Sequence, residues 1–275
     1  MGDAERMSRL EHDRIVADGT EPDRWLYVLH GIYGAGRNWS GVARRLVRER
    51  PDWGVLLVDL REHGGSRGFD PPHTIEAAAR DLADLDPAAA AILGHSFGGK
   101  VALAYAAGAP AGLEQAWLID STPAARPPGG SAWAMLAAAR AAGDRFESRD
   151  AGVAALEERG VARPVAQWMA TNLTAEDGAY RWRLDFDAME ALLLDFFAVD
   201  LWPAVEAPPP GVEVHVVKAE ESSVLGPGEI DRLRAAEAAG GPVRLHVVAG
   251  GHWVNADNPD ALVRLLRDHL PGAHS

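Results

Sequence analysis

The sequence predicts an α/β fold: a mostly parallel central sheet with helices on both faces and an inserted helical lid. Three observations predict it. Short, continuously apolar runs alternate with stretches whose apolar residues recur at helical spacing, the pattern of parallel strands covered on both faces. One such run, residues 88–93, passes through Gly94-His95-Ser96-Phe97-Gly98 straight into a helical segment. Between two linkers, Pro127-Pro128-Gly129-Gly130 and Ala207-Pro208-Pro209-Pro210-Gly211, the alternation stops and only helical patterns remain.

Taken in order, residues 10–18 make a first strand with poor alternation, and residues 25–29 a clear buried one. The latter ends in the glycine-rich loop His30-Gly31-Ile32-Tyr33-Gly34-Ala35-Gly36. Trp39, Val42, Leu46 and Val47 then recur at helical spacing. Residues 55–60 form the next strand, leading into the turn Arg61-Glu62-His63-Gly64-Gly65-Ser66. Thr74 is placed to cap a helix through Leu82. The helix after Gly98 stops at Gly108-Ala109-Pro110, and residues 115–119 are a strand ending at Asp120. The lid is expected to hold helices over 132–142, 151–159, 165–171 and 186–197, and no strand. Strands over 212–217 and 243–248, with helices over 229–238 and 258–270, complete the core. The expected division is a core of residues 1–125 and 206–275 and a lid of residues 126–205.

Composition narrows the function. The 275 residues are 47% apolar, enough for a proper core. There is no cysteine, which excludes disulfides, thiolate–zinc sites and a cysteine nucleophile. A net charge of −13 argues against nucleic acid, which is bound through Lys and Arg. Lys100 and Lys218 are the only lysines. Met1-Gly2-Asp3-Ala4-Glu5-Arg6 is charged with no apolar signal core behind it, and no apolar run reaches membrane-spanning length. The expectation is a cytoplasmic protein with no membrane span, acting on a small molecule as a monomer or homodimer.

The segment Gly94-His95-Ser96-Phe97-Gly98 carries the chemistry. A serine on a sharp strand-to-helix turn needs small residues two before and two after it, because the backbones crowd there. The helix that follows aims free N–H groups at charge forming on its partner. Ser96 is thus a candidate nucleophile and the Phe97 N–H a candidate oxyanion donor. With 29 glycines such a pentapeptide arises by chance in roughly one chain in ten, so its partners matter. A base should follow in chain order, and His252 does, on a glycine-flanked loop after the last strand. His215 and His246 lie within strands, and His12, His269 and His274 read as surface residues. His63 and His95 lie near the site but on no late loop. The second oxyanion donor is expected at the Ile32 N–H, with Tyr33 as the alternative.

Four stretches, Leu29-His30-Gly31-Ile32-Tyr33-Gly34 with Asn38-Trp39, Asp59-Leu60-Arg61-Glu62-His63-Gly64-Gly65-Ser66, Gly94-His95-Ser96-Phe97-Gly98-Gly99-Lys100-Val101-Ala102 and Gly251-His252-Trp253-Val254, resemble the α/β-hydrolase superfamily. More narrowly they resemble its small esterases acting on short acyl esters and acyl-CoA-type thioesters. The resemblance spans residue 25 to the end, with the lid only weakly covered. It implies the α/β-hydrolase fold and a third catalytic group, an acid. Most of the superfamily carries that acid as an aspartate after the strand at 212–217, where this chain has Ala219-Glu220-Glu221-Ser222. The narrower group resembles this chain in having serine there and an aspartate after the preceding strand, here Ile119-Asp120-Ser121-Thr122-Pro123. The resemblance therefore implies Asp120, with Glu221 the alternative.

The expected activity is a serine hydrolase cleaving esters or thioesters of small apolar acyl groups, with no metal or cofactor. C–C hydrolysis, a lyase or a haloperoxidase-like reaction would use the same fold, and a non-catalytic ligand-binding protein is the remaining alternative. Aromatics concentrate in the lid as Trp133, Trp168, Trp182, Phe186, Phe196 and Phe197. Trp168, Phe196 and Phe197 are expected to line an acyl pocket. Asp59 and Arg61 should brace their turn, and Lys100 should tether its helix at the surface.

Overall fold

The computed structural model describes residues 9–272. The charged N-terminal hexapeptide and His274 lie outside the described residues. In chain order the elements are β1 (His12–Ile15), β2 (Arg24–Leu29), α1 (Ser40–Glu49), β3 (Trp53–Val58), α2 (Ile75–Asp81), β4 (Ala91–His95), α3 (Phe97–Ala107) and β5 (Gln115–Ile119). Next come α4 (Gly130–Ala142), β6 (Arg145–Phe146), α5 (Arg149–Glu157), α6 (Arg163–Met169), β7 (Leu173–Glu176), β8 (Ala179–Trp182) and α7 (Phe186–Ala198). The chain closes with α8 (Trp202–Glu206), β9 (Glu213–Ala219), α9 (Pro227–Ala238), β10 (Val243–Val248), α10 (Val254–Asp257) and α11 (Pro259–His269).

Seven strands form one sheet in the order β1-β3-β2-β4-β5-β9-β10. Only β1 runs antiparallel to its neighbour. The central strands are buried along their whole length, which is why they read as unbroken apolar runs. Leu46 of α1 and Leu262 and Leu266 of α11 pack on one face with Leu26, Leu57 and Leu93. On the other, α2 and α3 pack with Tyr27, Leu29 and Ile92, and the core continues into α4–α7. Pairing of Leu29 with Gly94, His95 with Ile119 and Ile119 with Val217 brings the strand ends into line. The residues that follow those ends, among them His30, Ser96 and Asp120, share the carboxyl edge of the sheet. Among the described residues no helix is long and apolar enough to cross a membrane.

Two expectations need correction. The segment between β5 and β9 is not free of strands: β6, β8 and β7 form a small antiparallel sheet. Its hairpin turns at Asp177-Gly178, both at positive φ (47° and 72°), the geometry that an Asp-Gly pair favours between antiparallel strands. Lys100 is not at the surface either; it is fully buried. Its Nζ donates to the carbonyls of Ala124 (2.8 Å), Phe196 (2.5 Å) and Val199 (2.7 Å), with the Phe196 ring 4.6 Å away. One side chain thereby ties α3 to the chain entering α4 and to the chain leaving α7. Burial, with Arg126 nearby, pushes the Lys100 ammonium down from 10.5 to about 8.

Candidate active site

Ser96 caps α3 at φ 52°, ψ −116°, a left-handed conformation that a non-glycine residue holds only under constraint. The constraint is visible in its neighbours. A Cβ on Gly94 would lie 1.9 Å from the Gly98 carbonyl, and one on Gly98 would lie 2.5 Å from the His30 carbonyl. Only glycine fits at either position, so strand, turn and helix close on one another. The Ser96 N–H donates to Ile119 O (3.0 Å), and the Ser121 hydroxyl donates to Ser96 O (2.6 Å). Phe97 opens α3, so its N–H has no carbonyl a turn earlier to bond.

His252 and Asp120 meet across 132 residues of chain: the His252 Nδ1–H donates to Asp120 Oδ2 at 2.7 Å. The carboxylate is wholly buried, and the imidazole is 30% exposed. Burial pushes the Asp120 carboxyl up, but hydrogen bonds from His252, the Ser222 hydroxyl and the Ala219 N–H outweigh it and hold it below its ordinary value. Ser222, at the position where the wider superfamily carries its acid, therefore supports Asp120. The Ser222 hydroxyl also accepts from the Val224 N–H (3.2 Å), and the Lys218 ammonium donates to the Ser222 carbonyl. Glu221 is exposed on the same loop.

The loop after β2 is fixed by its own histidine. His30 donates from Nδ1 to Gly31 O (2.8 Å) and accepts at Nε2 from the Leu60 N–H (3.0 Å). Burial pushes it down to about 4, so it is neutral near pH 7. Tyr33, at φ 63°, anchors this loop to the segment between β5 and β9. Its hydroxyl donates to Ala132 O (3.0 Å), and its carbonyl accepts from Asn172 Nδ2 (2.9 Å). His95 donates from Nε2 to the His252 carbonyl (2.7 Å), and burial pushes it down to about 3. Asp59 holds the backbone of Gly36 (2.7 Å) and Gly65 (2.8 Å), whereas Arg61 pairs with Asp81 (2.7 Å) and not with Asp59.

Ser96 and His252 line two cavities that also share Ile32, Ser131, Ala132 and Trp253. The smaller, about 150 Å³, is walled by Tyr33, Trp39, Met135, Val165 and Trp168. The larger, about 510 Å³, is walled by Phe196 and Phe197 together with Arg126, Glu221 and Ser222. The three aromatics expected in one pocket are thus divided: Trp168, edge-on to Trp253 at 4.4 Å, belongs to the smaller cavity, and Phe196 and Phe197 to the larger.

A mostly parallel sheet with a strained serine between strand and helix, and an Asp–His pair on loops that follow two other strands of the same sheet, defines a recognised class. The model of the alpha/beta hydrolase family matches residues 26–265, and the chain belongs to that family. Among similar proteins, the sn-1-specific diacylglycerol lipase ABHD11 of Xenopus tropicalis is 28% identical over 265 residues, covering 92% of this chain and 79% of the relative. Esterase YbfF of Escherichia coli (strain K12) is 27% identical over 254 residues, covering 89% and 92%. The solved structure of a marine microorganism esterase shares the fold, with a TM-score of 0.77 at 23% identity over 96% of this chain and 100% of that one.

Proposed function

We propose that this protein is a serine hydrolase that cleaves carboxylic esters or thioesters of small apolar acyl groups through an acyl-enzyme. The observation that carries the reading is the 2.7 Å bond from His252 to a buried Asp120, on a cavity lined by a serine at φ 52°. Asp120, held ionised, accepts the Nδ1 proton, which leaves Nε2 of His252 free to accept. In this reading Ser96 Oγ attacks the carbonyl carbon and gives its proton to Nε2. The N–H groups of Ile32 and Phe97 hold the tetrahedral oxyanion. His252 then returns the proton to the leaving alcohol or thiol, and water releases the acid by the same steps. Residues 126–205 act as a lid over the carboxyl edge of a core made from the remainder. The esterase and lipase names of the relatives support ester chemistry. The test is labelling with a fluorophosphonate probe, followed by a panel of nitrophenyl esters and acyl-CoAs of graded chain length. Labelling lost in Ser96→Ala, with turnover of short esters, is the expected result. An unlabelled serine would exclude the mechanism.

A further inference from the structure

The larger cavity contains a guanidinium that, among the described residues, no carboxylate pairs with. Arg126, half-buried in the linker from β5 to α4, donates from Nη1 to Val224 O at 3.3 Å. Its Nε is buried with no hydrogen-bond partner. Among the described residues no carboxylate lies within ion-pair distance of it, although acids outnumber Lys and Arg by 40 to 27 over the sequence. A buried guanidinium N–H left unsatisfied is costly, and on the wall of a cavity a ligand can supply its missing acceptor.

The surroundings favour an anion. α4 begins at Gly130 on the wall of the same cavity, with no side-chain cap and no acid in its first turn. Its 13 residues therefore add a positive end to the field of Arg126. Lys100 lies behind Phe196, where Asp195, Asp200 and Glu229 oppose its charge, so the field in the cavity is that of Arg126 and the helix end. Glu221 is the opposing charge, and it is exposed. The smaller cavity has no cationic side chain on its wall apart from what the site's histidines can supply.

We propose that the larger cavity recognises a substrate arm bearing a carboxylate or phosphate, that Arg126 is the specificity-determining residue for it, and that the uncharged arm occupies the smaller cavity. The planar guanidinium fork suits either anion. The assignment of arms rests on the ester-hydrolase reading; the anion preference of the cavity does not.

The experiment therefore reads turnover and binding separately. Three esters are compared in wild type, Arg126→Gln and Arg126→Lys: 4-nitrophenyl butyrate, mono-4-nitrophenyl glutarate with its carboxylate on the acyl arm, and 4-carboxyphenyl butyrate with its carboxylate on the leaving arm. In Arg126→Gln the kcat/KM of one anionic ester, relative to the neutral one, should fall by about 10- to 100-fold, mainly through KM. Arg126→Lys should recover part of the loss. The ester that responds identifies the arm. An equal loss on all three, or an unchanged ratio, would overturn the proposal. If no ester is turned over, the hydrolase reading fails and binding decides. Ser96→Ala is then titrated with glutarate and with inorganic phosphate by tryptophan fluorescence, with and without Arg126→Gln. Weakening by about tenfold supports the anion site, and equal or undetectable binding in both proteins overturns it.

Discussion

The wild-type protein should gain stability as the pH rises from 7.5 to 9.5, and Lys100→Met should abolish that gain. The folded Lys100 titrates near 8, against an ordinary 10.5 when the chain is unfolded. Between those values the unfolded chain holds the extra proton, so unfolding takes up a proton and becomes harder as protons grow scarce. Below pH 8 both states are charged and the burial cost is fully present. Above 10.5 neither is charged and the cost has gone. The gap between the two values corresponds to roughly 3 kcal/mol, of which about 2 kcal/mol is recovered between pH 7.5 and 9.5. Burial pushes Tyr27, Tyr33 and Tyr105 above their ordinary 10, so the unfolded chain's phenols begin to ionise first at the top of this window and take a little stability away; they do so in both proteins alike, and the difference between the two slopes belongs to Lys100. Burial also pushes His215 down to about 3 and His246 to about 4, far below the window. Lys100→Met also strips three carbonyls of their donor, an offset that does not vary with pH. Urea unfolding followed by tryptophan fluorescence at three pH values, for both proteins, gives the two slopes. Equal slopes would refute the assignment of a strained, charged ammonium to this site.

Ser96→Ala should cut ester turnover by roughly 10⁶, as in other triad knockouts, with an unchanged circular dichroism spectrum, since the position is strained and not stabilising. Asp120→Asn should cost roughly 10⁴ in turnover on a short nitrophenyl ester by losing tautomer control, whereas Glu221→Gln should cost far less; the reverse ranking would move the acid to the later loop. Trp168→Ala and the double substitution Phe196→Ala, Phe197→Ala should alter selectivity differently, because the residues wall different cavities. Each change should be worth about 1–3 kcal/mol at most in kcat/KM, and a uniform shift across all acyl lengths would make them purely structural.

What could be read from the sequence follows from how each feature is encoded. β2, β3, β4 and β5 are short apolar runs closed by glycine or charged turns, and their burial makes them legible. The hairpin of β7 and β8 is only four residues per strand, partly exposed, and set among helices, so its one signal is Asp177-Gly178. Lys100 was misread because a lysine after two glycines is ordinarily a surface residue. Its three carbonyl partners come from two distant segments and leave no local trace. The same holds for the split between the cavities. Trp168 and Phe196 both lie in apolar helical patterns, and only the way α6 and α7 cross the strand ends separates them. Asp120 could be picked out only by resemblance to a family pattern. The bonds from Ser222 and Ala219 that hold it ionised depend on a loop 99–102 residues further on.

Both lysines of this chain are structural posts. Lys100 is wholly buried and Lys218 is only 6% exposed, its ammonium spent on the carbonyls of Ala219 and Ser222. The described surface therefore offers arginine alone as its positive charge and no side-chain amine for an acylating reagent. Acetylation, ubiquitin attachment or glutaraldehyde fixation at a lysine would first have to open the fold, between α3 and α7 in one case and at the loop after β9 in the other. Beyond whatever the α-amine takes up, lysine labelling by an amine-directed dye should consequently report unfolding of this protein, slowly and in proportion to the open population.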